Sequence, residues 1–332
     1  MSSFDSSRSP RLNFRLLLAL AGALAALPVA GFGCSVCGCS LSSDWAQQGG
    51  AVEAAGFQSS LRYEYFEQDN LRSGYHSINS ADLPASYTEN NEVQQRTYSR
   101  STWVGIDWKT GTPWAVSLQI PYIDRFHSTL DAGDTVISTA NKSGIGDARI
   151  TASYQLRQGN ESSWSFQAGL KLPTGGFNQN FATGPDAGTL LDRGLQLGTG
   201  TTDLLAGVGY YARPEINLGW FTQLQFQQPL ASRDQFLPAS TVSWNNGVRY
   251  LNSSNFTPEL QFNVRWDSHE TNAQADYTNS GDLVALLTPG VTADITHTIS
   301  AFVYVQIPVL EKVNGLQLEP RILFTTGVRW KW

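Results

Sequence analysis

Cysteine is almost missing from this chain of 332 residues. All three copies, Cys34, Cys37 and Cys39, fall in the six-residue stretch "CSVCGC". No disulfide can therefore tie distant parts of the fold together. Charge is sparse as well: Asp, Glu, Lys and Arg make up 15% of the chain, against roughly 25% in ordinary globular domains. Met occurs once, as the first residue, and His only four times. Past residue 33 there is no apolar run of about 18 residues, which excludes a helix that crosses a membrane in that part. The net charge is −6, a sign that argues against nucleic acid as a partner. Helix-forming stretches are equally scarce, the best being "DWAQQGGAVEAAG" at 44–56.

What is present begins with Arg8, Arg11 and Arg15, followed by "LLLALAGALAALPVAGFG" at 16–33. A basic flank, a short apolar core broken by Pro28 and small residues at its end predict a secretory signal over residues 1–31, with cleavage near 31–33. Export across a bacterial inner membrane follows. Removing residues 1–31 takes three Arg and one Asp with it, which moves the net charge from −6 to −8. Residues 34–56 then form a Cys-containing periplasmic lead, or a plug at a barrel mouth.

From residue 57 to 332 the dominant signal is alternation with period two. Leu260, Phe262, Val264 and Trp266 share one face, against Glu259, Gln261, Asn263, Arg265 and Asp267 on the other. The same scheme runs through Trp164–Leu172, Trp220–Gln227 and Ile299–Val309. It predicts about twelve strands, near 57–67, 96–109, 114–126, 145–157, 164–173, 196–212, 219–230, 240–251, 257–268, 283–296, 299–310 and 319–332. Each reaches the ~9–11 residues that a tilted strand needs to cross a bilayer. Short turns (109–113, 158–163, 212–217, 252–255, 296–298) alternate with longer polar loops (68–95, 127–144, 174–195, 231–239, 269–282, 311–318). The expected fold is all-β: a transmembrane, antiparallel, up-and-down barrel in the bacterial outer membrane, with both termini in the periplasm. A soluble β-sandwich or lipocalin-like barrel is the competing architecture, but it seldom runs twelve long strands with such loop asymmetry.

Aromatic residues gather where the strands meet the short turns: Trp108, Trp114, Tyr154, Trp164, Tyr210, Trp220, Tyr250, Phe256, Trp330 and Trp332. An amphipathic ring is most stable at a bilayer interface. The chain closes on "ILFTTGVRWKW", where Phe324, Thr326, Val328, Trp330 and Trp332 share one face. This resembles the C-terminal signal by which bacterial barrels are recognised for assembly, so outer-membrane lipid and the barrel-assembly machinery are expected partners.

The polar face would line the lumen. The inward set is Arg62, Glu64, Asp107, Asp147, Arg149, Lys171, Asp203, Arg249, Glu259, Arg265, Asp267, Asp294, Arg321 and Arg329. These charges suit a narrow selective path for a small solute, and they suit equally a lumen locked shut by Arg–Asp pairs.

Three segments, "GIGDARITASYQL" (144–156), "GLKLPTGGF" (169–177) and "LQLGTGTTDLLAGVGYY" (195–211), resemble the outer-membrane transporter family labelled "MetA-pathway of phenol degradation", which is akin to the fatty-acid channels. The resemblance implies a passive channel for small molecules, aromatic or apolar ones among them. The Cys cluster is not part of that pattern.

For Cys34, Cys37 and Cys39 several readings stay open. Cys34 follows small residues as an acylated lipoprotein residue does, but without the usual lipobox spacing. A disulfide among the three suits an oxidising periplasm and leaves one thiol for a partner. Three thiolates at C-x2-C-x-C also suit a soft metal, Cu(I) or Zn, although no His lies nearby. Covalent haem is disfavoured because Gly38, not His, follows Cys37. A barrel-anchored binding or assembly component is thus the alternative to a channel. Otherwise no cofactor and no enzyme activity are expected: no G-x-S-x-G is present, "GTGTT" (198–202) lacks a phosphate-loop Lys, and His76, His127, His269 and His297 fall in predicted loops or turns.

Overall fold

A computed structural model describes residues 55–332 apart from 90, 132, 159–160 and 252–254. The expected signal segment and Cys34, Cys37 and Cys39 lie outside the described residues.

Thirteen strands form one antiparallel sheet: β1 (Gly56–Gly74), β2 (His76–Ile78), β3 (Val93–Lys109), β4 (Trp114–Leu130), β5 (Ser138–Ile145), β6 (Ala148–Gln158), β7 (Ser162–Leu172), β8 (Asp203–Glu215), β9 (Leu218–Pro229), β10 (Thr241–Tyr250), β11 (Phe256–Asp267), β12 (Asp282–Asp294) and β13 (Ile299–Lys331). Eleven of them follow one another round a closed ring, and β13 pairs back onto β1. The hairpin strand β2 pairs with β1. Strand β5 pairs with the upper part of β4, while β6 pairs with its lower part. Closure gives each strand of the ring a partner on both sides, as a lipid environment requires.

The 33-residue β13 is two staves. Residues 300–313 run antiparallel to β12 and residues 313–331 antiparallel to β1. Lys331 N donates to Thr298 O at 2.8 Å, so its two ends lie side by side. The reversal is at Asn314–Gly315, where Gly315 adopts φ +55°, a left-handed conformation that glycine reaches without a Cβ penalty. The barrel therefore has twelve staves. Where the sequence predicts a long loop over 311–318, the chain instead makes this tight turn.

Alternation dictates which way each side chain faces. On β11, Leu260 and Phe262 are 46% and 39% exposed, whereas the intervening Gln261 and its neighbour Asn263 are 3% and 2% exposed. This inverts a soluble protein. An exposed large apolar side chain in water forgoes about 1.5–3 kcal/mol of burial, and the outer wall carries dozens of them. Only a lipid surroundings makes that wall stable. Among the described residues no helix is long and apolar enough to cross a membrane.

The expected aromatic belt forms at the short-turn end. Trp114 packs on Tyr154 (centroids 5.0 Å), Trp164 on Tyr210 (4.8 Å) and Tyr210 on Trp220 (5.8 Å), with Phe57 stacked on Trp108 (6.5 Å). Both ends of the barrel chain lie at this end: Trp332 N donates to Phe57 O at 2.9 Å. Phe324, Val328 and Trp330 face outward, and the indole of Trp332 donates to Ser59 Oγ at 3.1 Å.

Candidate functional site

The interior is divided into two zones. The half nearest the short turns is packed with side chains. Phe221, Phe302 and Tyr304 are buried there. Arg249 lies 5.0 Å from the Phe221 ring and 2.7 Å from Glu259, and Arg329 lies 4.7 Å from the Phe302 ring. A hydrogen-bonded ladder crosses the wall above them: Thr288 Oγ1 donates to Asn263 Oδ1 (2.7 Å), and Asn263 Nδ2 donates to Asn245 Oδ1 (2.8 Å) and Gln261 Oε1 (3.0 Å).

The other zone is shaped by the segment between β7 and β8, residues 173–202. The sequence predicts a surface loop at 174–195 and a strand from 196. Instead β8 begins at Asp203, and residues 191–198 pack inward against the inner faces of β4 and β5. Leu191 and Leu195 bury themselves against Ala140 and Phe181. The Arg125 guanidinium, pointing inward from β4, donates to Gln196 O at 3.0 Å and to Gly194 O at 3.5 Å. Gln196 braces the loop from within, donating to Gln179 O and Leu191 O and accepting from Gln179 N.

The neck of this loop is fastened to Asp147, in the break between β5 and β6. One carboxylate oxygen accepts from Gly175 N (3.0 Å). The other accepts from Thr199 N and Thr199 Oγ1 (both 3.0 Å) and from Lys171 Nζ (3.1 Å). Lys171 also pairs with Asp203 at 3.0 Å, and Asp203 accepts from Thr201 Oγ1 (2.8 Å) and Gln227 Nε2 (2.6 Å). Thr174 Oγ1 donates to Gly146 O at 2.7 Å. The two limbs approach so closely that a Cβ on Gly198 would lie 2.5 Å from Asp147 Oδ1 and 2.7 Å from Gly175 Cα. Only glycine fits there. The three segments that carry the family resemblance thus converge on one carboxylate.

Beneath the loop lies a cavity of about 230 Å³. Its charged lining is Arg125, Arg149, Lys171, Arg193 and Arg265 against Glu64, Asp147 and Glu270, with Ile123, Leu197 and Phe236 as apolar wall. An acidic chain therefore encloses a basic cavity. The cations are held by stacking: Arg149 and Arg62 lie 5.3 and 5.1 Å from the Trp103 ring, and Arg193 lies 5.0 and 4.9 Å from Phe177 and Phe236. Such contacts orient a guanidinium while leaving its in-plane donors usable. In the loop, loss of solvent and the nearby Glu92 and Asp276 carboxylates push the Asp192 carboxyl up to about 7.

Most of the residues expected inside are inside. Arg62, Asp107, Asp147, Lys171, Asp203, Glu259, Arg265 and Asp267 are buried. Glu64 pairs with Arg62 (2.9 Å) and accepts from the Trp103 indole (2.9 Å), and Arg265 pairs with Asp267 (2.7 Å). Two expectations fail. Arg321 has a side chain 60% exposed and pairs with Asp69 at 2.8 Å. A bulge explains it: Phe66 faces Leu323 but Gln68 faces Pro320, so β13 gains a residue and its alternation slips. Asp294 is exposed at the turn that ends β12. His127, expected in a loop, sits on the inner face of β4, 1% exposed and 2.8 Å from Thr97 Oγ1. Arg125, inside the predicted strand 114–126 on the same face as Ile123, and Arg193, in the loop predicted to be solvated, are lumen residues absent from the predicted inward set. Among the described residues no group of His, Cys, Asp and Glu could hold a metal ion.

No family model matches the chain, and no curated protein matches it by sequence. Solved structures do. An outer membrane channel from Pseudomonas putida F1 aligns with TM-score 0.63 at 11% identity, covering 86% of this chain and 98% of that one. That is a likeness of fold: a closed outer-membrane barrel. Looser likenesses include the toluene transporter TbuX of Ralstonia pickettii (TM-score 0.46, 9% identity, 91% and 98% covered) and a FadL homologue of Pseudomonas aeruginosa (0.44, 8%, 91% and 99%).

Proposed function

We propose that this protein is an outer-membrane channel for the passive passage of small molecules, with the short turns and both termini in the periplasm and the long loops outside. The observation that carries the reading is the charge-lined cavity inside a lipid-facing barrel, narrowed by a loop that the barrel wall itself fastens. A purely structural barrel has no need for a loop whose residues 191–198 are fastened inside its own lumen. The fold likeness to an outer membrane channel supports the same reading.

Purified protein in a planar bilayer tests it. The expected result is small, discrete conductance steps in molar KCl, smaller than those of a wide porin because side chains and the loop occupy much of the lumen. Silence in the bilayer, together with no solute entry into reconstituted liposomes, would contradict it.

A further inference from the structure

We infer that the cavity beneath the inserted loop is a binding site for a small organic anion, a carboxylate with a compact apolar body, held by Arg149 and Arg193. The inference rests on the channel reading and gives it a substrate class.

The argument starts from the arginines. Among the described residues, neither Arg149 nor Arg193 makes an ion pair, whereas Arg62, Lys171, Arg249 and Arg265 inside the same barrel each have a carboxylate. Arg193 is 3% exposed; its Nη2 donates to Thr199 O at 3.0 Å, but its buried Nε has no acceptor. The buried Nε of Arg149 has none either. A buried guanidinium donor without an acceptor is costly, and arginine stays protonated. Both side chains line the cavity, one from the wall on β6 and one from the loop. A carboxylate matches the planar fork of a guanidinium. Ile123, Leu197 and Phe236 supply an apolar part of the wall for the body of the guest, and the carboxylates Glu64, Asp147 and Glu270 in the same lining disfavour a second negative charge on it. At ~30 Å³ per water the cavity of about 230 Å³ holds about eight waters, which leaves room for a guest the size of benzoate.

Isothermal titration of the folded protein in detergent micelles with benzoate tests the site without relying on conduction. Benzyl alcohol serves as the uncharged probe of equal size. Binding of benzoate and not of benzyl alcohol is expected. Arg149→Gln and Arg193→Gln should each weaken it about tenfold, the size of one charge-assisted hydrogen bond. Heat-modifiable migration on gels checks that each variant is folded, and Arg149→Gln, on the wall, leaves the loop's own hydrogen bonds intact. Equal binding of benzyl alcohol, no benzoate binding, or unchanged benzoate affinity in folded Arg149→Gln would overturn the site. Benzoate binding without any bilayer current would keep the site and contradict the channel instead.

Discussion

Replacing residues 178–195 by a short glycine linker should raise single-channel conductance several-fold and leave the barrel folded. The loop body contributes none of the staves, so closure through β1–β13 survives its removal. Its contacts with the wall include the Leu191–Leu195–Ala140 cluster, the Arg125 bond to Gly194 O, a short backbone bridge from Thr183 to Thr139 on β5 and the bond from Asp186 N to Ser138 Oγ, none of which a stave needs for its ladder. Twelve staves lie between the eight-stranded barrels that side chains fill and the sixteen-stranded ones that keep an open channel, so a lumen of this width is sensitive to one inserted segment. An unchanged conductance would place the narrowest point elsewhere. The packed zone of Phe221, Phe302 and Tyr304 would then be the resistance that matters.

Asp147→Ala is expected to cost about 3–5 kcal/mol of stability in urea unfolding from detergent micelles. The substitution orphans Gly175 N and Thr199 N together, at about 1–3 kcal/mol for each buried donor left unmade, while Thr199 Oγ1 keeps Thr201 Oγ1 at 3.0 Å. Lys171 keeps Asp203 at 3.0 Å, so the lysine is not stranded and the loss falls chiefly on the loop neck. Hydrogen exchange should show the same thing locally: the Gly175 and Thr199 amides lose protection while β10 and β11 keep theirs. Asp147→Asn, which preserves an acceptor, should lose less. A change under ~1 kcal/mol with protected amides would mean that the neck is held by something other than this carboxylate.

The wall was legible in the sequence because its physics is one-dimensional. Lipid on one side and polar side chains on the other force a period of two, and Leu260, Gln261, Phe262 and Asn263 report it residue by residue. Turn chemistry and the aromatic belt followed from the same pattern. The alternation misled at Arg321, where a bulge at Pro320 inserts a residue that no periodicity announces, and near Asp294, where a strand ends sooner than its apolar run. The inserted loop was not legible. Its buried residues, Leu191, Arg193 and Leu195, lie in a polar, glycine-rich stretch that reads as solvated, and what draws it inward is tertiary: Arg125 and Asp147, far away in the chain. The signal that was available lay in the glycines. "GIGD", "PTGG" and "GTGT" looked like turn residues, and they are close-approach residues clustered round one acid.

The central claim is that the apolar side of each stave meets lipid while the polar side meets a wet interior. Single spin labels at successive positions 259 to 266 on β11, introduced after Cys34→Ser, Cys37→Ser and Cys39→Ser and reconstituted in liposomes, measure it directly. Labels at 260, 262, 264 and 266 should be relaxed by membrane-dissolved oxygen, and those at 259, 261, 263 and 265 should not. A water-soluble nickel complex reaching all eight positions equally, or the reverse alternation, would contradict the account.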